Sequence, residues 1–90
     1  MYYIYRLTFI KDGSTYIGRT QNVEQRIQEH YNKIMWRGRM AKYNKYDPPF
    51  VHEVIDHALT REDAAALEKA YIQAEGPNVR NIIHRERRHA

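Results

Sequence analysis

The sequence has no cysteine, only four glycines and three prolines, and no long apolar run. The lack of cysteine excludes disulfides, thiolate zinc sites and a cysteine nucleophile. No stretch approaches the about 18 apolar residues of a transmembrane helix, and the first residues lack the pattern of a signal peptide. We therefore expect a cytoplasmic protein. A chain of 90 residues has room for one domain, predicted over 1–84, with a basic tail over 85–90.

Positive charge is in moderate excess and is clustered. Lysine and arginine total 15 against 11 acidic residues, for a formal net charge of +4. Residues 36–45 carry four cations and no acid, and residues 80–88 carry four arginines against one glutamate. Such clusters favour a nucleic acid partner, although a merely solvated surface explains them equally well. The candidate nucleic-acid-binding residues of the first cluster are Trp36, Arg37, Arg39, Lys42 and Lys45.

The first twenty residues predict a β-hairpin. Residues 2–10 are rich in aromatic and β-branched side chains, residues 15–19 suit a return strand, and residues 12–13 are a typical Asp-Gly hairpin turn. With that turn as the tip, Phe9 lies opposite Tyr16. Because successive side chains alternate between the two faces of a strand, three tyrosines share one face of the hairpin: Tyr3, Tyr5 and Tyr16.

The rest of the chain predicts capped helices and one more strand. Asn22 and Thr60 are good N-caps ahead of apolar positions at helical spacing, and Gly76 is a good helix stop. The predicted helices cover 23–35 and 61–75, a short helix lies within 36–46, and the third strand covers 50–56. The order is β-β-α-α-β-α, which predicts an α+β fold with a small three-stranded antiparallel sheet flanked by helices.

Glu68 is a carboxylate among apolar positions of the last helix. It follows Ala64 by four residues and precedes Ile72 by four, so all three lie on one side of the helix. Burying an unpaired carboxylate costs several kcal/mol, and Glu68 is therefore expected to have a cation or a metal ion beside it. A salt bridge to an arginine explains the pattern as well as a metal does. No second carboxylate is well placed, so one ion is expected rather than two.

Arg26 and His30 stand one turn apart on the flank of the apolar stripe of the first helix. From there they point towards the groove between helix and sheet, where a guanidinium can bind phosphate and an imidazole can move a proton. The tyrosines of the hairpin can orient water, or accept its proton if a nearby cation lowers the phenol pKa. An ordinary boundary between core and surface is the alternative interpretation.

Five short motifs contain these candidate residues. In chain order they are Tyr3-Ile4-Tyr5, Tyr16-Ile17-Gly18, Arg26-x-x-x-His30, Glu68-x-x-Tyr71-Ile72 and Asn81-Ile82. In this order and at these spacings they resemble the motifs of the GIY-YIG nuclease family, and the resemblance covers residues 3–82. One position departs from the family pattern, because Tyr3 stands where the first motif has glycine, and a ring there changes the rim of the site.

The resemblance implies a reaction and a division of roles. It implies hydrolysis of DNA phosphodiester bonds with one divalent ion, Mg²⁺ or Mn²⁺. Glu68 is implied to hold that ion, and Arg26 to neutralise charge in the transition state. Tyr5, helped by His30, is implied to orient and deprotonate water.

Further residues are implied to support these groups. Tyr16 is expected to hydrogen-bond within the same network, and Asn81, preferred over Asn78, to brace the backbone or the metal-binding glutamate. Gly18 permits a close approach of backbone or substrate. Arg19, which directly follows the second motif, is a candidate phosphate contact.

Two other functions fit the sequence less well. A non-catalytic nucleic-acid-binding module of the same fold needs only phosphate contacts and base stacking by the segment 36–46. An interaction protein would use the tail over 85–90 to bind an acidic partner. For the nuclease, the expected substrate is duplex or branched DNA. Because the chain is short, we expect either that cleavage is loosely specific or that a homodimer or a partner protein supplies specificity.

Overall fold

The structure, a computed structural model, describes residues 1–34 and 49–79, apart from the side chain of Ile34. The elements follow in the order β1 (Tyr2–Phe9), β2 (Thr15–Thr20), α1 (Val23–Ile34), β3 (Phe50–Ala58) and α2 (Arg61–Glu75), with a 3₁₀ turn over Gly76–Asn78. This is the predicted α+β fold, and the third strand is two residues longer than expected. The expected short helix within 36–46 lies outside the described residues.

β1 is the central strand of an antiparallel sheet with the order β2-β1-β3. The predicted hairpin register was wrong by two residues, since Tyr16 lies opposite Leu7 and not opposite Phe9. The turn takes in residues 10–13 because the Gly13 amide donates to the Phe9 carbonyl at 2.8 Å, with Gly13 at a φ of 73°. A shift of two residues preserves the alternation of side chains, and the three tyrosines therefore still share a face.

The predicted helix caps are confirmed. Asn22 Oδ1 accepts a hydrogen bond from the Gln25 amide at 3.1 Å, which fixes the start of α1. Thr60 Oγ1 accepts from the Asp63 amide, also at 3.1 Å, and begins α2 in the same way. At the other end of α2, Gly76 has a φ of 78°, a conformation that favours glycine and ends the helix.

The two helices cover opposite faces of the sheet. Aromatic and aliphatic side chains pack on the α1 face, namely Tyr5, Leu7, Ile27, Tyr31 and Phe50. Smaller aliphatic side chains pack on the α2 face, namely Ile4, Ile17, Ala58, Ala64, Ile72 and Val79. Neighbouring residues of the central strand belong to different clusters because a strand alternates its side chains. β2 and β3 are the two edge strands of this sheet.

Three predictions concern organisation beyond these elements. The single domain over 1–84 stays a prediction, and the tail over 85–90 lies outside the described residues. Neither α1 nor α2, nor any other helix in the described part of the chain, is long and apolar enough to cross a membrane. The cytoplasmic location stays a prediction.

Candidate active site

Tyr5 is the centre of the candidate site and is fully buried. It lies directly opposite Gly18 on β2, and its ring covers that glycine. A Cβ atom at position 18 would stand 2.3 Å from the Tyr5 Oη and 2.5 Å from its Cζ, far inside van der Waals contact. The close approach that Gly18 permits is therefore that of the Tyr5 ring itself. A larger residue at position 18 has to displace the phenol.

The Tyr5 phenol is hydrogen-bonded to His30, at 2.7 Å between Oη and Nε2. Burial, and then the positive charges of Arg26 and Lys33, lower the pKa of His30 to about 4. The imidazole is therefore neutral near pH 7. The phenol is protonated there as well, and in the tautomer that leaves Nε2 without a proton, Tyr5 donates to Nε2 and His30 is a proton acceptor.

The condition for a phenolate at Tyr5, a pKa lowered by a neighbouring cation, is not met. Burial raises the pKa of Tyr5 to about 12, helped by the charge of Tyr16. Arg26 does lie beside the phenol oxygen and acts to lower the pKa, but burial outweighs it. Tyr5 is therefore a neutral phenol near pH 7 and cannot act as a standing phenolate.

Tyr16 completes a triangle of rings with Tyr5 and His30. Its ring centroid lies 4.9 Å from that of His30, edge to face, and 6.4 Å from that of Tyr5. The Tyr5 and His30 centroids are 5.7 Å apart. Tyr16 is only half-buried, whereas Tyr5 is covered completely. We call Tyr5, Tyr16, Arg26 and His30 the Tyr5 cluster.

Arg26 connects this cluster to an acidic neighbour on its own helix. Its Nη1 lies 2.8 Å from Glu29 Oε1, three residues further along α1. The hydrogen bond to Glu29, and then the one to Tyr5, raise the pKa of Arg26 and keep the guanidinium charged. Glu29 was not predicted as a site residue, although a glutamate three residues after an arginine is a usual helix pair.

Glu68 of α2 is held by Arg19 of β2. Nη1 of Arg19 donates to Oε1 of Glu68. The salt bridge to an arginine, which the sequence predicted as the alternative to a metal ion, is therefore present. The Glu68 side chain is 20% exposed and that of Arg19 is 38% exposed. The charge of Glu68 also adds to the raised pKa of Tyr5, which places the carboxylate near the Tyr5 cluster.

An open cleft of about 310 Å³ lies next to these groups. Its lining is polar and comprises Arg19, Thr20, Asn22, Gln25, Arg26 and Glu29. We call it the arginine cleft. Two arginines line this one cleft, and arginine suits a phosphodiester because its guanidinium offers paired donors to phosphate oxygens.

Glu68 suits a single, weakly held divalent ion. Within 1–34 and 49–79, no group of three or more acidic or histidine side chains could hold a metal by itself. Mg²⁺ is commonly bound through one or two carboxylates while waters and substrate phosphates fill its other positions. A partly exposed carboxylate, paired with an arginine that lines an open cleft, matches that donor set once Arg19 releases it.

A second polar cluster on the other side of β1 was not predicted. Arg6 Nη2 lies 2.5 Å from Glu53 Oε1, and Arg6 Nη1 lies 2.6 Å from Glu75 Oε1. Thr15 Oγ1 donates to the other oxygen of Glu75 at 2.9 Å. We call these four residues the Arg6 cluster. Alternation along β1 could have placed Arg6 on the α2 face, but it could not have identified its two partners.

Some predicted site residues lie outside the described part of the chain. Asn78 falls within it and is exposed in the 3₁₀ turn. Tyr3, which replaces the motif glycine, is half-buried and lies opposite Thr20, a residue of the arginine cleft. The residues outside are Trp36, Arg37, Arg39, Lys42, Lys45 and Asn81.

Comparison with known proteins identifies the class. The family model of the GIY-YIG catalytic domain matches residues 1–81 of the 90-residue chain. The chain therefore belongs to the GIY-YIG family, and the fold agrees with that assignment. Searches of curated proteins and of solved structures found no match. Family membership gives the class, a nuclease domain that acts on nucleic acid.

Proposed function

We propose that the protein is an endonuclease that hydrolyses DNA phosphodiester bonds with one divalent ion. One observation carries the proposal: Arg26 of the Tyr5 cluster and Arg19, which is paired with Glu68, come from separate parts of the chain and line the same cleft. Membership of the GIY-YIG family supports the nuclease class.

The two arginines of the cleft bind the substrate phosphate. Arg26 is about one-third exposed and is fixed from behind by Glu29 and by the Tyr5 phenol. A guanidinium held in this way neutralises the charge that develops on the phosphate oxygens in the transition state, without first reorganising. Arg19 is the second phosphate contact. The basic segment 36–45 is proposed to extend the DNA-binding surface.

Proton transfer runs through the hydrogen bond between Tyr5 and His30. With a pKa of about 12, the phenol does not lose its proton unaided near pH 7. It can pass a proton on: as its oxygen takes one from the attacking water, its own proton moves to the neutral His30 Nε2. This path requires water to reach the phenol in the substrate complex. Tyr16, which contacts both rings, keeps them in place.

Glu68 is the residue that would hold the ion, either Mg²⁺ or Mn²⁺. A divalent ion bound there supplies charge that polarises the phosphate and stabilises the leaving oxygen. Asn81 is proposed to brace Glu68 or the nearby backbone. A homodimer or a partner protein that supplies specificity also belongs to the proposal, as does a branched or duplex DNA substrate.

A plasmid-nicking assay with matched variants tests the proposal. The wild type is incubated with supercoiled plasmid and with a four-way DNA junction, in Mg²⁺, in Mn²⁺ and in EDTA. We expect nicking that depends on the metal and is lost in Glu68→Gln and Arg26→Gln. Lys69→Gln is the matched control, because it removes a charge from the exposed residue beside Glu68 and should cleave like the wild type.

Two results would contradict the proposal. Equal nicking by all variants, or nicking in EDTA, would point to a contaminating nuclease. Salt-dependent DNA binding without cleavage in either metal would favour a non-catalytic binding module instead. The same assay on a single-stranded RNA of matched length separates DNA from RNA as the substrate.

A further inference from the structure

We propose that Arg19 is a switch that couples metal binding to DNA binding. In the free protein its guanidinium neutralises Glu68, and on substrate binding it exchanges that carboxylate for a DNA phosphate. The inference rests on the proposed function, since it takes Glu68 as the metal-binding residue and DNA as the substrate. It makes Arg19 a positioning residue for the metal as well as a phosphate contact.

The contact between Arg19 and Glu68 opposes metal binding in the free protein. One guanidinium nitrogen occupies a carboxylate oxygen that a divalent ion would need. The positive charge of Arg19 also repels a second cation placed at the same carboxylate. Glu68 is four-fifths covered, so it needs a cation at all times, and Arg19 supplies one when no metal is bound.

The arginine cleft gives Arg19 a second partner. Arg19 lines the cleft together with Arg26, and at 38% exposed it can reach solvent and turn towards a phosphate. A phosphate oxygen pair accepts the guanidinium fork as well as a carboxylate does. Once Arg19 has moved, Glu68 lacks a cation, and a divalent ion restores the balance of charge.

Metal and DNA should therefore strengthen each other's binding. DNA draws Arg19 away and frees Glu68 for the ion, while the ion at Glu68 releases Arg19 for DNA. Such coupling is reciprocal by thermodynamic necessity. Glu29 differs from Glu68, because it is 44% exposed and can be left to water when a phosphate approaches Arg26. Arg19 is thus the arginine whose release requires the metal.

The first test measures Mn²⁺ binding to the free protein, without DNA, from the electron paramagnetic resonance signal of unbound Mn²⁺. Arg19→Gln removes a partly exposed ion pair, and the variant should therefore bind Mn²⁺ about fivefold more tightly than wild type. Lys69→Gln removes the same charge one residue away from Glu68 and should tighten binding much less. Glu68→Gln should lose the site.

The second test measures DNA binding in EDTA, where cleavage is absent. A fluorescent 20-base-pair duplex is titrated with four proteins: wild type, Glu68→Gln, Arg19→Gln and the double variant. We expect Glu68→Gln to bind about fivefold more tightly than wild type, because Arg19 is released. In the Arg19→Gln background the same change should have little effect, and the double-mutant cycle isolates the coupling.

The outcomes separate the switch from the proposed function. Equal Mn²⁺ affinity in wild type and Arg19→Gln, with binding lost in Glu68→Gln, would overturn the switch and leave the metal assignment standing. Unchanged Mn²⁺ binding in Glu68→Gln would overturn both. Should circular dichroism show that Arg19→Gln does not fold, Arg19→Lys takes its place. A lysine at position 19 donates to Glu68 from a single ammonium group, so Arg19→Lys should tighten Mn²⁺ binding less than Arg19→Gln would. Mn²⁺ affinity equal to that of wild type would overturn the switch.

Discussion

Tyr5 and Arg6 are neighbours on the central strand, but their side chains enter two different environments. On the α2 face, Arg6 is surrounded by two carboxylates, and one of these also accepts from Thr15. On the α1 face, a neutral phenol is hydrogen-bonded to a neutral imidazole, and the neighbouring cation, Arg26, faces an open cleft. Because side chains alternate along a strand, two successive residues belong to different surroundings, Arg6 to a cluster of ion pairs and Tyr5 to the proposed reaction site.

Arg26→Gln should produce the largest difference between the two faces. Losing one donor that stabilises transition-state charge typically lowers the rate by about 10²–10³-fold. The unfolding free energy should fall by no more than about 1 kcal/mol, since the lost pair with Glu29 is a partly exposed helix pair. Single-turnover cleavage and urea unfolding measure the two effects. A purified variant that cleaves at the wild-type rate would remove Arg26 from the mechanism.

Tyr5→Phe should cost about 10²-fold in the cleavage rate, because it removes the hydroxyl that passes a proton to His30 and keeps the ring. The unfolding free energy should fall by about 1 kcal/mol, the usual value of a lost hydrogen bond. Tyr31→Phe is the matched control, since Tyr31 is a buried tyrosine in the same hydrophobic cluster. If both variants cleave alike, the Tyr5 hydroxyl only contributes to packing.

Arg6→Met should have the opposite effect from the two preceding substitutions. It should lower the free energy of unfolding and leave the cleavage rate of the folded protein unchanged. The Glu75 side chain is 16% exposed and would lose its cation, at a cost of about 1–3 kcal/mol, between the values for surface and buried pairs. Glu53 is 57% exposed, so Glu53→Gln should cost less. Urea unfolding ranks the three proteins. A slower cleavage rate per folded molecule in Arg6→Met would show that the faces are not independent.

A change in the dependence of stability on pH is also expected, and it is small only near neutral pH. The pKa of His30 is about 4 in the folded protein and 6.5 when unfolded. As the pH falls from 6.5 to 4, the unfolded state takes up a proton that the folded state refuses, and the unfolding free energy falls. His30→Gln keeps an acceptor for Tyr5 and should weaken this loss. Parallel curves for both proteins, measured by urea unfolding at each pH, would contradict it.

The elements were predictable because their signals are local. Caps at Asn22 and Thr60 and the stop at Gly76 depend on a few neighbouring residues, and each is confirmed. The hairpin register was wrong by two residues because the Asp-Gly pair was taken as a two-residue tip, whereas Gly13 ends a four-residue turn. The shared tyrosine face survived, since alternation is insensitive to an even shift.

The contacts within the site were less predictable, since they depend on burial and on partners distant in sequence. The direction of the Tyr5 pKa shift could not be predicted, because a strand pattern does not show that the phenol is fully covered. Glu68 was recognised as needing a cation, but its partner, Arg19, had been treated separately as a phosphate contact. The Arg6 cluster was not predicted because Glu75 is separated from Arg6 by 69 positions in the sequence.

Because the Tyr5 ring covers Gly18, substitutions at positions 5 and 18 are expected to depend on each other. The side-chain volume available at the two sites is shared, and Tyr5 occupies all of it. A substitution of Gly18 by alanine requires a smaller residue at position 5 as well, and that smaller residue lacks the phenol. In an alignment of related sequences, paired substitutions at positions 5 and 18 should therefore be nearly absent among active nucleases and frequent among relatives that have lost cleavage.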